Sequence, residues 1–132
     1  WSATSFNLLR KDGMEAERYN QLNPHKEKHL THIDRCFKSH DIPVIATTDY
    51  MRAYAEQIRP YIYSSYSVLG TDGFGRSDSR EELREFFEIN TNHIVRLTAF
   101  TLHQESSISK KQLDAIYKDL NVDPAKPNPW EV

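Results

Sequence analysis

Two short apolar runs, separated by a helical pattern, constrain the fold of this chain most strongly. The first run covers residues 42–47 and the second is Tyr66–Leu69, and turn residues bound both of them. Short continuous apolar runs of this kind are typical of strands that are buried on both faces of a parallel sheet. Between them, apolar residues recur with helical spacing from residue 51 to residue 58. The pattern therefore predicts a β-α-β unit in an α/β domain.

Helical patterns flank this unit on both sides. They predict a helix over Phe6–Leu22, which Gly13 weakens or bends, and a second amphipathic helix over residues 24–39. Cap signals predict where further helices begin or end; they are Thr48 before the crossover helix, Ser79 with Glu82, Asn90 or Thr91, Ser109 with Gln112, and Asn121 as a C-cap. Residues 1–3 have the pattern of a strand end, which gives about three strands in total. Because a stable sheet usually has more strands, we expect part of the domain to precede Trp1.

Composition excludes several classes of protein. The 132 residues suit one domain, and 17 basic against 19 acidic residues leave no broad basic field for nucleic acid. No apolar run approaches the roughly 20 residues that span a bilayer. The single cysteine, Cys36, cannot form an internal disulfide, which is typical of a reducing compartment. The first residue is Trp1 and the first methionine is Met14, so we expect further residues upstream.

Three of the four glycines fall in the segment that follows the second apolar run, residues 70–79, called the glycine loop below. Open α/β sheets bind ligands at such a place, so an anion-binding loop is one interpretation. Its spacing matches neither Gly-x-Gly-x-x-Gly nor a Walker loop, and Asp72 and Asp78 would repel a phosphate. A tight turn that packs against neighbouring structure is therefore favoured. The candidate interface residues are Gly70, Asp72, Gly73, Phe74, Gly75 and Arg76.

A second candidate site is the cluster of His25, His29, His32 and Cys36. All four share one face if residues 24–39 form a continuous helix. Histidine and cysteine side chains together suggest zinc. One straight helix, however, reaches a single ion with only two such ligands, and the neighbouring charged residues are typical of a solvated surface. An exposed helix with incidental histidines is therefore favoured over a metal site.

Isolated polar residues admit a chemical and a structural interpretation. Asp49 follows the first apolar run, where a receiver domain carries its phosphoacceptor aspartate. A receiver also needs an acidic pair after its first strand to hold magnesium, and residues 1–5 contain no acid. An acid in the first turn of the crossover helix is the favoured interpretation of Asp49. His93 and His103 lie too far apart on one predicted helix to meet, so we interpret them as ordinary surface or core histidines.

Three segments together carry a resemblance to a known family. They are Ala-Thr-Thr-Asp-Tyr-Met (residues 46–51), Ala-Glu-Gln-Ile-Arg (55–59) and Gly-Thr-Asp-Gly-Phe-Gly-Arg-Ser-Asp-Ser-Arg-Glu (70–81). With them, nearly the whole chain resembles the C-terminal end of the homodimeric bacterial first component of pyruvate dehydrogenase complexes, within the transketolase-like family. Residues 24–40 depart most from that family, which makes the histidine cluster a peculiarity of this chain.

The resemblance implies both a fold and a parent enzyme. The fold would be a three-layer α/β/α sandwich like the transketolase C-terminal domain, mostly parallel with one antiparallel strand, and residues 1–132 would form a single, incomplete domain of it. The parent would be a long cytoplasmic homodimer that uses thiamine diphosphate and magnesium. It would decarboxylate pyruvate and reductively acetylate lipoyl groups on a dihydrolipoyl acetyltransferase core. In the family the catalytic and cofactor-binding residues lie upstream, so none is expected here, and the fragment alone is expected to be inactive.

Two functional hypotheses remain open at this point. In the first, the chain supports assembly: the glycine loop and Phe74 contact upstream domains or the second subunit, and Arg76 pairs with acids there. An apolar residue between two glycines of a solvated turn motivates this hypothesis. In the second, the chain is a stand-alone α/β binding or receiver-like module. The expected loss of the first strand favours the first hypothesis.

Overall fold

The two apolar runs form strands on either side of a helix, as predicted, and further helices precede and follow this unit. The computed structural model describes residues 1–37, 41–120 and 122–132. In chain order the elements are α1 (Phe6–Leu22), α2 (His32–Cys36), β1 (Val44–Thr47), α3 (Arg52–Glu56), β2 (Tyr66–Leu69), α4 (Arg80–Phe86), α5 (Thr91–Gln104) and α6 (Lys110–Asp119). The described residues also include two 3-10 turns, Arg59–Tyr61 and Pro129–Glu131. Among the described helices, none combines the length and the apolar character needed to cross a membrane.

β1 and β2 lie side by side as parallel strands, in a register that places Val44 opposite Tyr66. α3 and the first 3-10 turn form the crossover between them, as the spacing of the apolar residues predicts. The chain is therefore of the α/β class. β1 begins two residues later than predicted, after Pro43, because proline has no N–H to donate to a strand ladder.

Residues 1–3 do not form the predicted strand. They have no regular secondary structure, and Trp1 is 92% exposed. A strand is stabilised by the backbone of a neighbouring strand, and within the described residues β1 pairs with β2 alone. The Trp1 ring instead packs edge-on against Phe37, with ring centroids 5.9 Å apart. The described sheet accordingly has two parallel strands instead of three.

α1 has the predicted bounds, and Ser5 begins it by accepting a hydrogen bond on Oγ from the Leu8 N–H at 3.3 Å. Gly13 in this helix lies at a close approach to the crossover. A Cβ atom at Gly13 would stand 2.4 Å from the ring of Tyr61. The Tyr61 hydroxyl donates to the carboxylate of Glu17 at 3.3 Å, which holds the ring against the same helix. Glycine therefore allows the Tyr61 ring to lie directly on α1.

The hydrophobic core lies between α1, α2, the crossover and the sheet. On β2, Tyr66 and Val68 are buried, and the residues that alternate with them are half-buried. β1 is half-buried over most of its length. The prediction that both strands are buried on both faces is therefore wrong, because the described helices cover the sheet incompletely. The buried cluster comprises Phe6, Ile33, Ala55, Ile58, Tyr61, Tyr66 and Val68.

A buried tyrosine joins β2 to the crossover helix. The hydroxyl of Tyr66 donates a hydrogen bond to the carbonyl of Ala55 at 2.8 Å. Burial raises the pKa of Tyr66 to about 12, so the hydroxyl keeps its proton and remains a donor at physiological pH. The guanidinium of Arg59 lies 5.0 Å from the centroid of the same ring. These contacts hold α3 against the sheet and position the loops that follow each strand.

α4 begins at the predicted cap but with a different arrangement of bonds. Ser79 accepts a hydrogen bond on Oγ from the Glu82 N–H at 3.2 Å, as the predicted capping box requires. The Ser79 N–H, which Glu82 would bind in a complete box, donates instead to Asp78 Oδ1 at 2.8 Å. Asp78 therefore accepts the hydrogen bond from the Ser79 N–H that Glu82 would accept in a complete capping box.

α5 and α6 also begin where the sequence predicts. Asn90 caps α5 through its side chain, and Ser109 and Gln112 form a complete capping box at α6. The predicted C-cap, Asn121, lies outside the described residues. Within the described ranges neither α4 nor α6 contains a fully buried residue. α4 and α6 are therefore covered less than the sheet and its crossover, whereas α5 buries His93, Ala99 and Thr101.

Candidate functional site

The loops that leave β1 and β2 meet at the carboxyl edge of the sheet. The Thr48 N–H donates to the Leu69 carbonyl at 3.0 Å, and the Thr71 N–H donates to the Tyr50 carbonyl at 2.9 Å. The Thr71 hydroxyl donates to the Asp49 carbonyl at 3.3 Å. Open α/β sheets bind their ligands at this edge, so a functional site is expected here. The glycine loop lies there, as its position after β2 predicts.

Asp72 fixes the glycine loop to the start of α3. Its Oδ1 accepts a hydrogen bond from the Arg52 N–H at 2.9 Å, and its Oδ2 lies 3.1 Å from the Arg52 Nε. Met51 occupies the N-cap position of α3 and supplies no side-chain acceptor, so Asp72 provides it from the next loop. The prediction that Thr48 caps this helix is wrong, because its hydroxyl accepts from the Tyr50 N–H at 3.1 Å in the preceding turn.

Two glycines of the loop allow close backbone approaches. A Cβ atom at Gly70 would lie 2.7 Å from the Tyr50 carbonyl oxygen, and one at Gly73 would lie 2.9 Å from the Pro129 carbonyl oxygen. Gly73 also has a φ of +113°, in the left-handed region that favours glycine. At Gly75, by contrast, no atom of the described residues lies within 4 Å of a Cβ. The loop is therefore held between the β1–α3 turn and the C-terminal tail, with its tip free.

The C-terminal tail contributes a contact that sequence reasoning did not identify. The guanidinium of Arg52 lies 4.8 Å from the centroid of the Trp130 ring, a cation–π arrangement. Arg52 therefore connects Asp72 on one side to Trp130 on the other. Nothing in the local sequence around residue 130 indicates its partner, because the contact joins segments that are distant along the chain.

The tip of the glycine loop presents an exposed aromatic side chain. Phe74 is 83% exposed, although Asp72 and Gly73 hold the backbone beside it. The guanidinium of Arg76 lies 4.2 Å from the centroid of the Phe86 ring on α4. Aromatic and arginine side chains are enriched at the centres of protein interfaces. The geometry of the tip therefore suits contact with another protein surface.

The start of α4 is not arranged to bind an anion. The N–H groups of Ser79 and Glu82 already donate to side-chain oxygens, and these are the donors that a phosphate would use. Glu81 and Glu82 add negative charge to the first turn, and Asp78 precedes it. Because these carboxylates repel an anion, the geometry supports a packing loop over a phosphate loop.

Asp49 lies in the turn before α3 and not in its first helical turn. α3 begins at Arg52, and its first turn contains no acid. The prediction that Asp49 stabilises the helix macrodipole is therefore wrong. Its Oδ2 lies instead 3.1 Å from Nη2 of Arg84 on α4. Asp49 thus forms an ion pair between the β1–α3 turn and the helix that follows the glycine loop.

The histidine cluster does not share one helix face as predicted. A complete capping box starts α2 at His32, so His25 and His29 precede the helix. Within residues 1–37, 41–120 and 122–132, no group of three or more His, Cys, Asp or Glu side chains is placed to hold a metal ion. The two members on α2 do meet, because Nε2 of His32 and Sγ of Cys36 are 3.4 Å apart.

His93 is a fully buried histidine at the start of α5. Its Nδ1 lies 2.7 Å from Oδ1 of Asn90, the cap residue, and among the described residues its Nε2 has no hydrogen-bond partner. Burial lowers the pKa of His93, which keeps the ring neutral with Nδ1–H as the donor. His103 is half-buried, and its Nδ1 donates to the Ile108 carbonyl at 3.1 Å.

Comparisons with known proteins find similarity along the whole chain. The profile of the transketolase-like TK C-terminal domain matches residues 1–90. The proteins named pyruvate dehydrogenase E1 component from Cupriavidus necator and Pseudomonas aeruginosa are each 45% identical over 132 residues, 100% and 99% of this chain. That of Escherichia coli K12 is 44% identical over 131 residues, 98% of this chain. The chain spans only 15% of the length of the first two and 14% of the third.

Proposed function

The chain belongs to the transketolase-like C-terminal domain family, and from this membership we propose that it is the C-terminal domain of a pyruvate dehydrogenase E1 component. Its 45% identity to such proteins over 132 residues carries the proposal. The whole enzyme would decarboxylate pyruvate with thiamine diphosphate and magnesium, and then reductively acetylate lipoyl groups on a dihydrolipoyl acetyltransferase core. We place it in the cytoplasm, since a lone cysteine suits a reducing compartment.

The residues of this chain do not fit thiamine diphosphate or magnesium. Magnesium prefers carboxylate oxygens, and Asp49 and Asp72 at the carboxyl edge of the sheet are already paired with arginines. Asp72 pairs with Arg52, and Asp49 pairs with Arg84. We therefore assign no step of the reaction to these residues and place both groups in upstream domains of the full enzyme, as the family resemblance implies.

We propose that the glycine loop is an interface element of the assembled enzyme. Asp72 fixes one side of the loop to α3, and Gly73 packs against the C-terminal tail. A tip held in this way loses little conformational entropy when it docks, so the exposed ring of Phe74 can contribute most of its burial to binding. The surface opposite would belong to the upstream domains or to the second subunit of a homodimer, with acids facing Arg76.

We also propose that the sheet continues in the complete domain. Among the described residues β1 pairs with β2 alone. The backbone N–H and C=O groups on the other side of β1 therefore have no neighbouring strand among the described residues. Native proteins cover or pair such edges. A three-layer α/β/α sandwich with one antiparallel strand, as the family resemblance implies, would supply the missing cover.

The proposed activity is tested on the full-length protein. We expect release of carbon dioxide from pyruvate that requires added thiamine diphosphate and magnesium, together with acetylation of a free lipoyl domain. Release from another 2-oxo acid and none from pyruvate would contradict the proposed substrate.

The interface role is tested separately by Phe74→Ala in the same full-length protein. We expect the dimer dissociation constant to rise by about tenfold or more, because a buried aromatic anchor contributes roughly 2 kcal/mol to an interface. Leu22→Ala, which removes an exposed apolar side chain from the end of α1, is the matched control and should leave the constant unchanged. If Phe74→Ala changes neither dimer affinity nor Tm, the interface role is wrong, while the assigned activity stands.

A further inference from the structure

We propose that the C-terminal tail, residues 122–132, is a strap that holds the glycine loop in position for docking. This proposal rests on the interface role proposed above for the loop. The described contacts of the tail include one beside Gly73, near the start of the loop, and one beside Phe86, at the end of α4. The tail therefore joins the two ends of the segment that carries Phe74 and Arg76.

Lys126 makes the contact at the end of α4. Its Nζ donates hydrogen bonds to the carbonyls of Glu85 and Phe86, the second at 3.0 Å, and lies 4.0 Å from Oε1 of Glu88. The carbonyls of a last helical turn have no partners within the helix, and the helix dipole favours a positive charge there. Lys126 supplies both the donor and the charge, so this contact fixes the tail to α4.

The 3-10 turn near the end of the tail makes the contact at the glycine loop. Pro129 in this turn is buried, and a Cβ atom at Gly73 would lie 2.9 Å from its carbonyl oxygen. The centroid of the Trp130 ring lies 4.8 Å from the guanidinium of Arg52. Asp72 binds the same arginine side chain, with 3.1 Å between its Oδ2 and Nε. One arginine therefore contacts both the beginning of the loop and the tail.

The glycine loop has few fixed points of its own between its ends. Asp72 fixes its beginning, and Ser79 caps the helix at its end. In the described part of the chain, the backbone of residues 74–77 neither donates nor accepts a backbone hydrogen bond. Gly73 has a φ of +113°, and a glycine can leave this conformation for many others. The contact with Pro129 therefore restricts the direction in which the tip of the loop leaves Gly73.

The tail is suited to this role because its own backbone is restricted. It contains Pro124, Pro127 and Pro129, and proline fixes the φ angle of its residue. A restricted segment loses less conformational entropy when it lies against the rest of the chain. The tail therefore orders the glycine loop before the loop docks, which lowers the entropic cost of docking.

The strap is tested by hydrogen exchange of the full-length protein, measured by mass spectrometry where wild type and variant have the same oligomeric state. Trp130→Ala should make residues 70–79 exchange about fivefold faster and leave residues 42–47 of the sheet unchanged. Trp130→Phe keeps an aromatic ring for Arg52 and should restore the slow exchange. Val132→Ala, at an exposed position in the same tail, is the matched control and should exchange like wild type. Unchanged exchange in Trp130→Ala, or equal acceleration in both segments, would overturn the proposal.

Dimer affinity separates the strap from the interface role. Trp130→Ala should raise the dimer dissociation constant about fivefold, because the loop must then be ordered on docking. In a Phe74→Ala background, where the loop has lost its anchor, the same change should add less than about twofold. A full additional effect would mean that Trp130 itself contacts the partner surface, and no effect of Trp130→Ala beside a clear effect of Phe74→Ala would mean that the tail does not act on docking; either result overturns the strap. If Phe74→Ala alone leaves affinity unchanged, the interface role is wrong, and the exchange rates alone decide whether the tail holds the loop.

Discussion

The two halves of the chain are held together in different ways. In residues 1–69, the sheet half, apolar side chains of α1, α2, the crossover and β2 form one buried cluster. In residues 70–132, the helical half, α4 and α6 as described bury no side chain fully. Caps and ion pairs are prominent there instead, such as Arg96 with Glu88 at 3.3 Å. The sheet half therefore has a packed apolar core, whereas the buried apolar side chains described in the helical half are fewer, namely Phe87, Ile89 and Ala99.

This difference predicts where stability resides. Burial of apolar surface contributes about 25 cal/mol per Å², whereas an exposed ion pair contributes roughly 0–1 kcal/mol. The family profile covers the whole sheet half and continues to residue 90, so α5 and α6 fall beyond it. We expect substitutions in the sheet half to have the larger effects on unfolding, and those in the helical half to act through polar contacts.

The largest expected effect is that of Gly13→Val in the sheet half. Its side chain would overlap the buried ring of Tyr61, since a Cβ alone stands 2.4 Å from it. We expect a loss of about 2–3 kcal/mol in the free energy of unfolding, because overpacking outweighs the small gain in helix propensity. Urea unfolding monitored by circular dichroism measures the loss.

Gly75→Val is the matched control for this comparison. A Cβ at Gly75 meets no atom of the described residues within 4 Å, and Gly75 lies in the helical half. We expect its free energy of unfolding to stay within about 0.5 kcal/mol of wild type. Equal losses for the two variants would mean that the halves do not differ in packing as the structure indicates.

Asp72→Ala tests the link between the halves and has an intermediate expected effect. It removes both the acceptor for the Arg52 N–H and the partner of the Arg52 side chain. We expect a loss of about 1–2 kcal/mol, the range for a helix cap. Asp78→Ala, which removes only a local bond to the Ser79 N–H, should lose less. If both variants lose the same amount, Asp72 does not connect the glycine loop to α3.

The elements whose signals are local could be predicted from the sequence. α1, β2 and α6 have the predicted character because periodicity and caps act between residues within a few positions of each other. Ser109 with Gln112 is such a case, since both partners of the capping box lie in one turn. The α/β class follows from these elements, because two parallel strands need a crossover between them.

The contacts that build the candidate site could not be predicted in the same way. Thr48 is the local cap candidate for α3, yet Asp72 supplies the acceptor from a position 20 residues away. The continuous helix that would align the histidine cluster depends on periodicity alone, and the capping box at α2 starts the helix later. In each case a contact between distant segments, or a stronger local cap, overrides the pattern.

The pH dependence of stability should reveal the buried His93 of the helical half. Burial lowers the pKa of His93 below its ordinary 6.5. The negative charges of Glu88 and Glu85 raise this pKa, and the positive charges of Arg96 and Lys126 lower it further, but burial is the largest effect. The unfolded chain therefore binds a proton at a higher pH than the folded chain does. The resulting contribution to stability is present above about pH 6.5 and is lost as the pH falls through the lowered pKa of the folded state.

His93→Gln should make the free energy of unfolding depend less on pH in this range. We expect wild type to lose free energy of unfolding as the pH falls below about 6.5 towards the lowered pKa of His93, and the variant to lose less, since glutamine does not titrate. His25→Gln changes an exposed residue before α2, and this control should show the same change in the free energy of unfolding with pH as the wild type. This is the smallest expected effect, because it changes a slope and arises from one side chain. If His93→Gln keeps the full pH dependence of the wild type, that dependence comes from other groups, and the burial of His93 does not couple its protonation to folding.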